Sequence, residues 1–231
     1  MFQKLFNTKP PPKWLTPYLD HKATSANRST HWSNLRFVIL DTETTGLSVK
    51  KDYPISIGAV AIESKAIVIK QSLEIILHQK EIIQNDAILI HGLLPNELAQ
   101  GKEVKKALID FLAFLNNSVI IAHHVAFDLA ILTKSVRAFY PPFKFYNHRI
   151  DTAYLAMKID GVHPQKQFVD RQQYTLDALC NRYNIEVIER HTAWGDAYTT
   201  ALLFLKLVDI LEQRESQLLW QLMPKRNWFL G

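Results

Sequence analysis

The amino-acid sequence predicts an α/β protein in which helices flank a mixed β-sheet. Three apolar runs rich in β-branched residues follow one another between residues 36 and 77, joined by short turns. Short connections favour antiparallel neighbours, since a parallel crossover needs about a dozen residues or more. The pattern then changes to helix, strand and helix, an alternation that adds a parallel strand to the sheet.

The opening strands are the runs RFVILDTET, ISIGAVAIES and AIVIKQSLEIIL, which begin at Arg36, Ile55 and Ala66. A helix is predicted next, over residues 102–116, and the run SVIIAHH that follows it is typical of a buried strand. The helix is predicted because its apolar residues recur at spacings of three and four: Val104, Leu108, Phe111, Leu112 and Leu115.

The second half of the chain is predicted to be mainly helical. Turn-forming and polar residues separate its apolar segments, which marks the boundaries of each element. The predicted elements, in order, are a helix from about Phe127 to Phe139, a Pro-containing loop at 140–149, a short helix after Asp151, a polar loop at 160–173, and helices near 175–183 and 195–212.

Length and composition indicate one folded domain with appendages. The chain has 231 residues, and 48% of them are hydrophobic, which is enough to build a core and excludes a disordered protein. The single cysteine, Cys180, excludes an intramolecular disulfide framework. No apolar run approaches the length of about 20 residues that a membrane span needs. We therefore expect a soluble, cytoplasmic protein without membrane association.

The net charge of +5 is concentrated at the start of the chain. Residues 1–36 contain six Lys and Arg but only one acid, Asp20, so residues 37–231 are neutral overall. Residues 1–34, with three prolines at 10–12, are interpreted as a basic arm that either touches a polyanion or packs on its own domain. Residues 37–231 alone are therefore not predicted to bind a polyanion strongly, and this arm would supply much of any such attraction.

Two carboxylates stand at the end of the first strand. Asp41 and Glu43 project from the same face, about 6.5 Å apart, whereas Thr42 points the other way. Such a pair repels unless a cation lies between its members, although solvated acids at a strand end are the simpler alternative. A further acid, Asp128, follows the buried strand among apolar neighbours, either as a site residue or as a partner of the helix N-terminus.

The last acid of interest begins the final long helix. His191 lies five residues before Asp196, and Gly195 would allow a close approach of the backbone. Taken singly, each of these residues has a structural interpretation. Taken together, hard oxygen ligands at the ends of separate elements plus one histidine are typical of a Mg²⁺ or Mn²⁺ site for phosphate chemistry. Zinc is disfavoured, since no Cys- or His-rich spacing is present.

Three motifs carry a family resemblance: DTETTGL at 41–47, AHHVAFD at 122–128, and His191 with Asp196. They resemble those of the DnaQ-like DEDDh 3′–5′ exonucleases, the family of the proofreading epsilon subunit of bacterial DNA polymerase III. The resemblance covers roughly residues 35–212. It implies a ribonuclease-H-like fold, a mixed five-stranded sheet with three antiparallel strands followed by two parallel ones. The remaining residues, 213–231, are expected to form a tail that packs on the domain.

The resemblance also implies roles for individual residues. Asp41, Glu43, Asp128 and Asp196 would hold two divalent ions, Mg²⁺ or Mn²⁺, and His191 would be the general base. Contacts to the terminal nucleotide are implied for Thr42, Thr44, Leu47, His91 and Phe127.

The implied activity is hydrolysis of the last phosphodiester of single-stranded or frayed DNA 3′ ends, with release of 5′ mononucleotides. Proofreading or repair is the implied setting, with a DNA polymerase or another replication protein as partner. Two alternatives stay open: an RNA-directed 3′–5′ exoribonuclease, and a non-catalytic, polymerase-associated module that binds nucleic acid. One departure concerns the subgroup, because His124 stands where proofreading subunits often carry Asn.

Overall fold

A computed structural model describes residues 10–21, 26–79, 92–162 and 169–223. Its sheet has the order β3-β2-β1-β4-β5. Strand β1 pairs antiparallel with β2 and parallel with β4, while β2 pairs antiparallel with β3 and β4 parallel with β5. This is the mixed sheet that the sequence predicts. The strands are β1 Phe37–Thr44, β2 Pro54–Glu63, β3 Ala66–Ile76, β4 Val119–Ala122 and β5 Arg149–Asp151.

The α-helices of the described segments lie on both sides of this sheet and at its edges. Short 3-10 turns at Trp32–Asn34 and Arg171–Tyr174 accompany them. No described helix has the length and apolarity of a membrane-spanning segment. The helices are α1 Thr16–Asp20, α2 Pro95–Gln100, α3 Val104–Leu115, α4 Val125–Arg137, α5 Thr152–Ile159, α6 Leu176–Tyr183, α7 Ala193–Glu212 and α8 Leu219–Leu222.

The sheet separates two apolar clusters, and β1 contributes alternately to both. Phe37 and Ile39 pack with α5, α6 and α7 on one face, whereas Val38 and Leu40 pack with α3 and α4 on the other. This alternation follows from the two-residue period of a strand. It continues past the core and sends the next polar side chains of β1 to opposite faces.

The described parts of the N-terminal segment and the C-terminal tail pack on the domain. Leu15 and Tyr18 are buried beside α3, and Trp32 is buried against α7, where its indole N–H donates to Glu212 at 2.6 Å. Backbone hydrogen bonds join residues 28–32 to residues 217–220. For these residues the structure therefore shows packing on the domain. Lys4, Lys9 and Lys22 lie outside the described residues.

Candidate active site

Three carboxylates meet at the C-terminal end of β1. Oxygen atoms of Asp41, Glu43 and Asp196 all lie within 4.8 Å of one another. The start of α7 reaches this point because Gly58, which pairs with Asp41 across β1 and β2, has no side chain. A Cβ atom on Gly58 would lie 2.1 Å from the carbonyl carbon of Ala193. The close approach of α7 thus depends on a glycine in the sheet.

The turn before α7 is equally tight. A Cβ atom on Gly195 would lie 2.3 Å from the carbonyl oxygen of Glu189, so this glycine permits the close approach that the sequence indicates. Thr192 caps the helix, its hydroxyl accepting from the Gly195 N–H at 3.0 Å. These two features place Asp196 in the first turn of α7, facing β1.

Asp128 adjoins the three carboxylates from the other face of the sheet. It lies in the first turn of α4, is only 3% exposed, and accepts a hydrogen bond from the Thr42 hydroxyl at 2.8 Å. Thr42 points away from Asp41 and Glu43, as strand alternation predicts, and this direction carries its hydroxyl to Asp128. Its side chain is therefore engaged with a carboxylate inside the protein.

The N-terminus of α4 is held by a buried acid that the sequence motifs do not single out as a site residue. Asp151, at the end of β5, accepts from the backbone N–H of Val125 at 3.0 Å and of Tyr154 at 3.2 Å. It thereby fixes the starts of α4 and α5 together. Its position between a strand and a helix is the signal of an N-cap, so one residue positions the helix that carries Asp128.

Arg190 is a second residue that sequence reasoning missed. Its guanidinium donates to Asp196 Oδ2 and, through Nε at 2.6 Å and Nη2 at 3.2 Å, to both oxygens of Asp177. The other oxygen of Asp196, Oδ1, is buried without a hydrogen-bond partner among the described residues. The cationic guanidinium of Arg190 thus already contacts the Asp196 carboxylate, and among the described residues the second oxygen of that carboxylate stays free to bind a ligand.

Burial, and to a smaller extent repulsion from nearby carboxylates, raises the pKa values of these acids. Burial raises the pKa of Glu43 to about 7, with Asp196 adding to the effect and Arg190 opposing it. Burial also raises the pKa of Asp128 to about 7, opposed by the Thr42 hydroxyl. The pKa of Asp41 lies well above its usual value, first through burial and then through Asp128, Asp196 and Glu43. Such a cluster favours a bound cation, because a cation relieves this repulsion.

The donor set fits a hard divalent ion. Carboxylate oxygens are the ligands that Mg²⁺ and Mn²⁺ prefer, and the unpartnered Oδ1 of Asp196 is a buried oxygen that such an ion would satisfy. Asp41, Glu43 and Asp196 form the cluster itself, while Asp128 is the neighbouring fourth carboxylate.

His191 lies on the exposed loop that precedes α7, with φ of +67°. Burial raises the pKa of Asp196, while Arg190 and then His191 lower it, so His191 lies near that carboxyl. Phe127 is half-buried in the first turn of α4. His91 lies outside the described residues.

The loop after β1 presents Leu47 to solvent from a fixed base. Leu47 is 87% exposed, and the Thr44 hydroxyl donates to the Gly46 carbonyl at 2.8 Å just before it. Asp52 closes the loop by accepting from the Thr45 hydroxyl at 2.9 Å and from the Ser48 N–H at 2.7 Å. An exposed leucine on a braced loop has the form of an apolar wedge.

Comparison with known proteins agrees with this geometry. The family model described as RNase_T, exonuclease, matches residues 38–204. The chain is 31% identical over 188 residues to a DNA polymerase III of PolC type from Thermotoga petrophila, covering 79% of this chain and 12% of that protein. It is 28% identical over 179 residues to the DNA polymerase III subunit epsilon of Buchnera aphidicola subsp. Acyrthosiphon pisum, covering 74% and 71%.

Among solved structures, the fold matches that of E. coli exonuclease I in complex with a dT13 oligonucleotide. The TM-score is 0.64 at 21% sequence identity, covering 78% of this chain and 42% of that chain. The chain therefore spans about an eighth of the PolC-type relatives and less than half of exonuclease I.

Proposed function

The chain belongs to the RNase_T exonuclease family, and from this premise we propose that it hydrolyses the terminal phosphodiester of single-stranded or frayed DNA 3′ ends. Each cycle would release one 5′ mononucleotide. The observation that carries the proposal is the meeting of Asp41, Glu43 and Asp196 within 4.8 Å, with Asp128 adjoining them. These four side chains would hold two divalent ions, Mg²⁺ or Mn²⁺.

Bound ions would supply Lewis-acid stabilisation of the scissile phosphate and activation of water. The chain's own groups supply position and proton transfer. His191, exposed near Asp196, is the residue we propose as acceptor of a proton from the attacking water, as a neutral imidazole. Leu47 and Phe127 offer apolar surface on either side of the terminal base, which must separate from its neighbour to reach the carboxylates.

DNA is the proposed substrate because several related proteins are DNA polymerase III subunits or polymerases. By the same reasoning, proofreading or repair is the proposed setting and a DNA polymerase the proposed partner. RNA is the alternative substrate, since the described site residues include none that distinguishes a 2′-hydroxyl.

The test is ion-dependent release of mononucleotides from matched oligomers: 3′-recessed duplex DNA, single-stranded DNA and single-stranded RNA. Asp41→Asn and His191→Ala would be assayed beside the parent, with Asp209→Asn, an exposed acid on α7, as a matched control. We expect release by the parent and the control, loss in the two site variants, and faster release from DNA than from RNA. Absence of release by the folded parent on every substrate would favour the non-catalytic binding module.

A further inference from the structure

A basic groove of about 600 Å³ runs along the exposed side of α4. Five of its lining side chains are cationic, no carboxylate lines it among the described residues, and the other lining side chains are small, apolar or a single threonine. The five cations are Lys50, Lys134, Arg137, Lys144 and Arg149. Net neutrality of residues 37–231 therefore conceals a separation of charge, with acids gathered at the β1 end and bases gathered here.

The groove begins beside the loop that follows β1. Helix α4 carries Asp128 on its buried side, and the groove follows Ala126, Ala130 and Arg137 along the opposite side. This stretch spans about 16 Å at 1.5 Å per residue. Lys50 joins the groove from the loop that exposes Leu47. A strand that leaves the apolar wedge thus has a positively charged path beside it.

Four of these cations, Lys50, Lys134, Arg137 and Lys144, form no ion pair with an acid of the described residues. Lys134 donates to the backbone carbonyls of Lys50 at 3.0 Å and Asp52 at 2.9 Å, and Arg137 donates to that of Phe143 at 2.8 Å. Carbonyl partners fix these side chains and leave their charge intact. Lys50 and Lys144 are exposed and belong to none of the ion pairs of the described residues.

We propose that this groove binds the phosphates of the single strand upstream of the 3′ end that enters the carboxylate site. The proposal rests on the proposed exonuclease function and assigns to that site an extended substrate path. Lys and Arg contacts to phosphates position a strand without reading its sequence, and positively charged grooves that follow the backbone are typical of proteins that bind single strands. The groove supplies attraction that the sequence assigned to the N-terminal arm.

The test compares two double variants. Lys50→Gln/Lys144→Gln removes two exposed charges from the groove, and Lys106→Gln/Lys206→Gln removes two exposed charges from α3 and α7. Both are made in an Asp41→Asn background, and binding of a fluorescent oligonucleotide of about 12 nucleotides is measured against salt. The logarithm of the binding constant falls linearly with the logarithm of salt concentration, and each lost phosphate contact lowers the magnitude of this slope by about 0.7 for a single strand. We expect a decrease of about 1.4 in the groove variant and no change in the control.

A second readout uses the active protein. In the groove variant the KM for the longer oligonucleotide should rise about tenfold, whereas turnover of a dinucleotide, too short to reach the groove, should match the parent.

Equal salt slopes for the two double variants would overturn the groove proposal while leaving the exonuclease intact. A parent that hydrolyses nothing, yet shows the slope difference, would overturn the proposed function and leave the groove as a binding site. Loss of affinity for a poly-glutamate peptide, with an unchanged oligonucleotide slope, would assign the groove to an acidic protein instead.

Discussion

The two halves of the carboxylate site are held by different forces. The sheet half, Asp41 and Glu43, stands on the central strand β1, which pairs on both sides, and Gly58 of the neighbouring strand β2 contacts the α7 backbone. The loop half, Arg190 and His191, precedes α7, where ion pairs with Asp177 and Asp196 hold the arginine. Packing against α7 thus fixes the positions of Asp41 and Glu43. The loop is fixed by the ion pairs of Arg190 in addition to the tight turn at Gly195. The sheet half should respond to added volume and, through its buried carboxylates, to ions and pH, whereas the loop half should respond to the loss of single side chains.

The largest expected effect comes from the loop half. His191→Ala should lower kcat about 1,000-fold through loss of the proton acceptor, while the denaturant midpoint stays at the parent's value because the side chain is exposed. Single-turnover hydrolysis and chemical unfolding provide the two measurements. A rate within tenfold of the parent would remove His191 from the mechanism.

Added side-chain volume beside Asp41 should disrupt the geometry of the sheet half. In Gly58→Ala the new Cβ would meet the Ala193 backbone, so α7 must shift away from the strand. We expect a loss of about 2 kcal/mol in the free energy of unfolding and, through misplacement of Asp196, about 100-fold lower activity. Urea unfolding and steady-state rates would show both effects. Parent-like stability would mean that the α7 contact does not position the acid.

Removal of ions should expose the repulsion within the cluster. The folded-state pKa values of Glu43 and Asp128 are raised to about 7, so between about pH 4 and pH 7 the folded protein binds more protons than the unfolded chain. These groups therefore stabilise the fold less as pH rises through that window. His123, whose pKa burial lowers to about 3, acts in the opposite direction.

The difference between Glu43→Gln and the parent isolates the carboxylate contribution. In EDTA, the melting temperature of the parent should fall relative to that of Glu43→Gln between pH 5 and pH 8, because only the parent acquires the additional charge. Mn²⁺ should recover more stability at pH 8 than at pH 5, since protons compete for its ligands. Parallel curves for the two proteins would contradict the raised pKa.

The smallest expected effect concerns Arg190. Its guanidinium contacts an Asp196 oxygen that an ion would use, so Arg190→Gln should tighten Mn²⁺ binding about fivefold at pH 8, the scale of about 1 kcal/mol for a partly exposed pair. Isothermal titration calorimetry without substrate measures this Mn²⁺ affinity directly. Arg182→Gln is a matched control, because Arg182 pairs with Asp160 away from the cluster. Weaker binding in Arg190→Gln would instead make the arginine a support of the loop.

The sequence predicts those parts of the fold that repeat a local pattern. Strand alternation gives the shared face of Asp41 and Glu43, and helical spacing gives α3 over 104–115. The local pattern predicts a loop at 140–149 and does not predict strand β5, Arg149–Asp151, because three residues carry no period. Even so, the five-stranded sheet follows from the family resemblance and is confirmed.

The site residues that pattern does not identify depend on tertiary contacts. Arg190 meets Asp177 across 13 positions, and nothing in either local sequence indicates the pair. The groove combines side chains from the loop after β1, from α4 and from the segment before β5, and counting charges along the chain cannot show that they share a surface.

The backbone pairing of residues 28–32 with residues 217–220 has a topological consequence. It joins two segments that flank the sheet and its helices in sequence, so the chain before β1 and the chain after α7 are tied to each other as well as to the core. A substitution that breaks this pairing would therefore release both flanking segments at once.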